Sequence, residues 1–230
     1  MTLPPVAILA GGLATRLGEV TKTMPKALLD VAGKPFVVHQ LELLRAAGAT
    51  RVVLCVAHFA DQIEDVLGDG RAFGIAVSYS RDELEGTGGA LRRALPLLGD
   101  EFLVVYGDSY LRADYAGIAS AWLASGKLGL MTVFRNDGRY DASNVEYTDH
   151  VVRYDKATTA GMTHIDWGLG GFRAAAFAGY PAGKLDLARV YQDLLAKHEL
   201  FGYEVFERFY EIGSHAGLED TRRLLSKEQS

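Results

Sequence analysis

Apolar and polar positions along the first half of the chain fall into blocks that switch repeatedly between strand and helix spacing. The run Val6-Ala7-Ile8-Leu9-Ala10 is short and continuously apolar, the mark of a buried strand, and it stops at Gly11-Gly12. Over 35–47 the residues Phe36, Val37, Leu41 and Leu44 recur at helical spacing, with Pro35 suited to a first turn and Gly48 to end it. A strand over 51–57, a helix over 60–67, a strand over 75–80, a helix over 87–98 interrupted near Pro96, and a strand over 102–106 running into Gly107-Asp108 follow. Such alternation predicts an α/β fold with a parallel sheet and crossover helices. Ligands of these sheets bind beyond the carboxyl ends of the strands, so the loops after Ala10, Ser80 and Tyr106 are expected to converge.

The second half changes character. A helix over 114–125 closed by Gly126, a strand over 128–135, and a hairpin of 144–147 with 151–154 around Thr148-Asp149-His150 are expected first. A strand near 167–172, a helix over 186–197, a strand pair of 203–206 with 210–212, and a closing helix after His215 complete the reading. No internal repeat, low-complexity tract or Pro/Ser-rich linker divides the chain, which predicts a single unit over 1–230 with halves of about 1–112 and about 113–230.

Composition narrows the partners. The 230 residues are 49% hydrophobic and 23% charged with a formal charge of −5, an ordinary globular balance. No basic run offers a field to a nucleic-acid backbone, so no nucleic-acid partner is expected, and anions must be caught by local cations. No apolar stretch reaches membrane-spanning length and no charged n-region precedes an apolar h-region, so no membrane partner and a cytoplasmic location are expected. The lone cysteine, Cys55, lies in an apolar strand and reads as core.

The segment from Leu9 to Leu29 carries the densest chemistry. Behind Leu9 and Ala10, the glycines Gly11 and Gly12 let the backbone curl and point amides at an anion. Thr15 adds a hydroxyl donor, Arg16 a planar fork for phosphate oxygens, and Lys26, behind Pro25, a mobile charge. Neither the dinucleotide fingerprint nor the P-loop pattern is present, and a plain Gly-rich turn would seldom carry an ordered Thr-Arg and Pro-Lys together. A second apolar strand ends Val104-Val105-Tyr106-Gly107-Asp108 and brings a carboxylate to the same edge, where a hard divalent cation shared with a triphosphate needs oxygen ligands.

The ordered set Gly11, Gly12, Thr15, Arg16, Leu17, Pro25 and Lys26 resembles the signature of the sugar-1-phosphate nucleotidyltransferases, with Ala14 in place of a usual glycine and Glu19 near a usual proline. The wording is nearest to short bacterial heptose-1-phosphate guanylyltransferases and N-acetylmuramic-acid-1-phosphate uridylyltransferases. That resemblance implies a Rossmann-like mixed sheet flanked by helices, of the nucleotide-diphospho-sugar transferase type, with a nucleotide-binding first half and a sugar-phosphate-binding second half. It also implies Arg16 and Lys26 as catalytic cations. Leu9, Ala10, Gly11, Gly12 and Thr15, with the second glycine loop Glu85-Gly86-Thr87-Gly88, become nucleotide-binding residues. Asp108 and Glu211, the latter in Tyr210-Glu211-Ile212-Gly213-Ser214 where an aspartate is usual, become ligands for Mg²⁺. Lys156 of Asp155-Lys156 inherits the sugar-phosphate role, joined by Asn144, by Asp166 where the family has asparagine, and by Trp167 as a stacking or core residue.

The implied substrates are a nucleoside triphosphate and a sugar 1-phosphate, and the implied product is a nucleotide sugar for cell-surface glycan synthesis. Guanylyl transfer to a heptose 1-phosphate is the first expectation and uridylyl transfer to an N-acetylated sugar 1-phosphate the alternative. A homodimer is left open. Two remoter readings remain at this stage. Gly107-Asp108-Ser109 spells the start of a Gly-Asp-Ser hydrolase motif with His215 downstream, and a non-catalytic nucleotide-sugar-binding subunit would share the fold.

Overall fold

The computed structural model describes residues 2–12 and 23–228. In chain order its strands and α-helices are β1 (Val6–Leu9), β2 (Asp30–Val31), β3 (Lys34–Pro35), α1 (Phe36–Ala46), β4 (Arg51–Val56), α2 (Ala60–Leu67), β5 (Ala76–Arg81), α3 (Gly86–Leu98), β6 (Glu101–Tyr106), β7 (Ser109–Tyr110), α4 (Tyr115–Ser125), β8 (Gly129–Arg135), β9 (Val145–Thr148), β10 (His150–Tyr154), β11 (His164–Arg173), α5 (Leu187–Ala196), β12 (Leu200–Val205), β13 (Tyr210–Glu211) and α6 (His215–Glu228).

Alternation within the central strands explains the layers. Val6, Ile8, Val52, Leu54, Leu103 and Val105 bury on one face under α1, α2 and α4, with Leu41, Ile63 and Trp122 opposite them. Ala7, Val53, Cys55, Phe102 and Val104 bury on the other face under α3 and α5, with Leu91, Val190 and Tyr191. Both faces of the parallel strands are therefore covered, as their continuous apolar runs require. Cys55 is 1% exposed, and burial pushes its thiol up to about 12, in keeping with a core residue. A third, smaller cluster of Leu29, Val31, Phe36, Tyr110, Ile212, Leu218 and Leu225 seats α6 beside β2 and β13.

Among the described residues one sheet of nine strands runs through both halves, in the order β10-β9-β11-β6-β1-β4-β5, with β8 beside β11 and β12 beside β8. β6, β1, β4 and β5 are parallel; β11 runs antiparallel to β6 and to β8, and β12 lies parallel to β8. The mixed sheet expected from the resemblance is present. No helix among the described residues is long and apolar enough to cross a membrane.

Three local expectations are corrected. The segments 203–206 and 210–212 do not pair with each other: Tyr203 faces Thr132 of β8, while Tyr210 and Glu211 pair with Tyr110 and Ser109 of β7. Helix α3 is not interrupted, because Pro96 falls in its last turn, where the missing N–H costs only one terminal hydrogen bond. Asp114 does not begin α4 but caps it, its Oδ1 accepting from Gly117 N at 2.9 Å.

One irregularity shapes the second half. Opposite β8, the register of β11 shifts between Asp166 and Gly170, and Gly168 there has φ 105°, a backbone open to glycine. The bulge turns the Asp166 carboxylate back over the Gly168 amide, which donates to Oδ1 at 3.1 Å.

Candidate functional site

The C-terminal ends of β1, β5 and β6 open into one cavity of about 500 Å³, bordered by Leu9 to Gly12, Asp82, Leu84, Gly86, Thr87, Tyr106 to Asp108, Lys26 and Lys184. The convergence of the loops after Ala10, Ser80 and Tyr106 is thus present. Close strand-end packing fixes it: Ala10 N donates to Cys55 O at 2.9 Å and Gly107 N to Leu9 O at 3.0 Å. A Cβ on Gly107 would lie 2.5 Å from Leu9 O and 2.9 Å from Ala10 Cα, so only glycine lets the two loops touch. Thr15 and Arg16 lie outside the described residues.

A second cavity, of about 700 Å³, lies against β11 and is bordered by Tyr140 to Ala142, Asn144, Lys156, Ile165 to Gly168, Phe209, Glu211, Gly213 and Ser214. Lys26, Tyr106 and Asp108 border both cavities. Pro25, at φ −65°, leads into a 3₁₀ turn over Lys26–Leu28, and from its start Lys26 Nζ reaches Asp108 Oδ2 at 2.9 Å. The pair stands where the two cavities meet.

Beneath it lies a residue that the sequence reading missed. Gln40 of α1 is 2% exposed and its Nε2 donates to Tyr106 O at 3.0 Å and to Ser109 O at 2.8 Å, bracketing the turn that carries Asp108. Asp82, Leu84 and Lys184 were also missed. Asp82 follows the end of β5, which was a readable signal, whereas Lys184 arrives from a distant loop that α3 and Arg92 hold in place.

Two nucleotide-binding expectations are corrected by geometry. The Glu85 carboxylate is drawn to Arg93 at 2.6 Å and does not border the cavity. Gly88 is buried, gives its amide to Leu185 O at 2.9 Å, and is a glycine because a Cβ there would lie 2.8 Å from Leu185 Cγ. Gly86 and Thr87 do border the cavity, and Thr87 Oγ1 accepts from Leu187 N at 3.0 Å, tying the loop to α5.

In the second cavity, Asn144 Oδ1 accepts from Asp166 N at 2.9 Å, so the hairpin side chain holds the bulge in place. Burial raises the Asp166 carboxyl above the ordinary carboxylate range, while the charge of Lys156 and the Gly168 amide pull the other way. Tyr106 Oη stands 3.5 Å from Asp166 Oδ2, at the limit of a hydrogen bond. Trp167 is the packed floor rather than an open platform: it is 1% exposed and its indole N–H is donated to Glu207 O at 2.7 Å.

Asp108 and Glu211 approach one point. A Cβ built on Gly213 would lie 3.0 Å from Asp108 Oδ2, 2.9 Å from Glu211 Oε2 and 3.4 Å from Lys26 Nζ. Glu211 also braces the start of α6, accepting from the amides of Gly213 and Ser214 and from Ser214 Oγ. Two hard carboxylates facing a Cβ-sized gap suit an oxygen-preferring divalent cation. Among the described residues no larger cluster of three or more His, Cys, Asp or Glu gathers. Ser109 Oγ has Asp108 Oδ1 at 3.5 Å and no histidine among its hydrogen-bond partners in the described residues, which removes the geometric basis of a hydrolase.

The sequence pattern of the MobA-like NTP transferase domain matches residues 6–228, nearly the whole chain. The chain belongs to this family. It is similar to the N-acetylmuramate alpha-1-phosphate uridylyltransferase of Neisseria meningitidis, 34% identical over 224 residues that cover 94% of this chain and 96% of that one. The D-glycero-alpha-D-manno-heptose 1-phosphate guanylyltransferase of Campylobacter jejuni is 32% identical over 151 residues, 65% of this chain and 66% of that one. Among solved structures, HddC from Yersinia pseudotuberculosis complexed with GMP-PN aligns with a TM-score of 0.81 and 26% identity over 97% of this chain and 100% of that one. The resemblance read from the glycine loop and the Pro-Lys pair is borne out, and the enzyme class is that of the sugar-1-phosphate nucleotidyltransferases.

Proposed function

We propose that this enzyme joins a nucleoside triphosphate, held in the first cavity, to a sugar 1-phosphate, held in the second, and releases pyrophosphate. The observation that carries the reading is the Lys26–Asp108 pair, 2.9 Å apart, on the border that the two cavities share. An oxygen of the sugar phosphate attacks the α-phosphorus in line; the new P–O bond forms as the bond to the β-phosphate oxygen breaks, and pyrophosphate takes the electron pair. The attacking oxygen is already anionic, so no general base is required. Catalysis then rests on positioning and on cations placed where charge moves.

Lys26 serves the α-phosphate and the incoming phosphate, and Arg16, by its place in the glycine loop, the leaving pyrophosphate. Lys156, beside Asp166, holds the sugar phosphate, and Asp166 accepts hydrogen bonds from the sugar. Asp108 and Glu211 are the residues that would hold Mg²⁺, which supplies neutralisation of triphosphate charge.

Uridylyl transfer to an N-acetylated sugar 1-phosphate is the first reading of specificity, because the uridylyltransferase relative aligns over 96% of its own length. Guanylyl transfer to a heptose 1-phosphate is the second, supported by the guanylyltransferase relative and by the likeness to a structure complexed with GMP-PN. The product would feed the synthesis of a surface glycan. Pyrophosphate release across a matrix of UTP, GTP, CTP and dTTP with N-acetylmuramate, manno-heptose and glucose 1-phosphates tests the reading. UTP with N-acetylmuramate 1-phosphate is expected to give the highest kcat/KM. Dominance of GTP with the heptose establishes the second reading, and release from no pair overturns both.

A further inference from the structure

The segment between β12 and β13 holds an arginine with both faces occupied. The Arg208 guanidinium carbon lies 4.1 Å from the centroid of the Tyr140 ring and 4.3 Å from that of Tyr210. Its edge is used as well: Nη2 stands 3.3 Å from Asp220 Oδ2 on α6, and Nε donates to Phe209 O at 3.3 Å. Phe209 closes the group edge-on, its centroid 6.0 Å from that of Tyr140 and 6.4 Å from that of Phe134. A delocalised, weakly hydrated plane can stack on two rings while its rim donates hydrogen bonds; a lysine ammonium cannot do both.

Three parts of the second cavity meet at this stack. Tyr140 belongs to the loop 136–143, which is stitched internally by the buried Asn136: its Oδ1 accepts from Tyr140 N at 3.2 Å and its Nδ2 donates to Asp141 O at 2.6 Å. Tyr140 and Asp141 border the cavity on one side, and Phe209 and Glu211 on the other. Tyr210 adjoins Glu211, and Asp220 sits on the helix that Glu211 braces. The geometry points to Arg208 as a positioning residue for the sugar 1-phosphate: it staples the 136–143 loop to the strand that carries Glu211, and so sets the width of the sugar cavity. It acts through Tyr140 and Tyr210 on the cavity wall. This inference rests on the proposed assignment of the second cavity to the sugar.

The test compares wild type, Arg208→Lys, Tyr140→Leu and the double variant with the best substrate pair, reading KM for each substrate, kcat, melting temperature and amide hydrogen exchange over 136–143. Arg208→Lys keeps the charge and loses the stack. It is expected to raise KM for the sugar 1-phosphate by about tenfold, the scale of one lost cation–π contact, with KM for the triphosphate unchanged. Exchange over 136–143 is expected to speed up, and Arg208→Lys to have no further effect in the Tyr140→Leu background. Equal rises in both KM values alongside a lowered melting temperature mean a merely structural arginine and overturn the inference, as do additive effects in the double variant. If wild type turns over no pair, the reading of the two cavities has failed; exchange over 136–143 that is identical in wild type and Arg208→Lys then overturns the staple independently.

Discussion

The contact between Lys26 Nζ and Asp108 Oδ2 joins two segments 82 positions apart, and each partner depends on the other for neutralisation. Asp108→Asn keeps the shape of the side chain and removes the charge. It is expected to abolish turnover while leaving the circular dichroism spectrum and melting transition close to wild type; a folded variant with most of its Mg²⁺-dependent activity would refute the role given to Asp108. Lys26→Ala should slow the single-turnover step roughly a hundredfold, or about 3 kcal/mol, the usual effect of removing one donor from a site of moving charge. Asp166 behaves differently because burial raises its carboxyl, so the folded chain holds this proton more tightly than the unfolded one. Its ionisation therefore opposes folding: the penalty is absent below the unfolded value of about 3.9 and complete above the raised folded value. Asp166→Asn removes that penalty. The variant should melt higher than wild type near neutral pH, with a difference that shrinks on acidification, and its ranking of sugar 1-phosphates should shift, because a donor replaces an acceptor. A melting difference independent of pH would contradict the buried, ionised carboxylate.

At the scale of elements, Gln40 shows how α1 serves chemistry that it does not touch. Gln40→Leu leaves the carbonyls of Tyr106 and Ser109 without their side-chain donor, a loss of about 1 to 3 kcal/mol. The expected outcome is a melting temperature several degrees lower, with kcat reduced while Asp108 remains in place; full kcat would show that the turn holds itself. Gln40 was illegible in the sequence because one amide on an apolar helical face reads as a neutral interruption, and its partners are backbone atoms far along the chain. Helix α2, by contrast, was legible to the residue, since its apolar positions alone fix its buried face. Strand pairing was the weakest inference. Nearness in sequence suggested that 203–206 would pair with 210–212, but β12 finds β8 and β13 finds β7, choices made by tertiary packing. The bulge at Gly168 that aims Asp166 was equally unreadable, since nothing in Trp-Gly-Leu marks a shift in register.

For the molecule as a whole, the parallel strands β1, β5 and β6 set the nucleotide cavity at their carboxyl ends, and the antiparallel β11 sets the sugar cavity beside it in the same sheet. The sequence revealed this division through its glycine loop, its Gly-Asp pair and the change of pattern after residue 113, while the shared border became visible only when Lys26 and Asp108 were found to line both cavities. That border makes a specific demand on the kinetics. Both substrates must be bound together, one on each side of the pair, before any bond changes. The most direct test is the initial rate of pyrophosphate release with the nucleoside triphosphate and the sugar 1-phosphate varied together. The account predicts double-reciprocal lines that intersect and no appreciable release without the sugar 1-phosphate; parallel lines, or release at a comparable rate from the triphosphate alone, would contradict it.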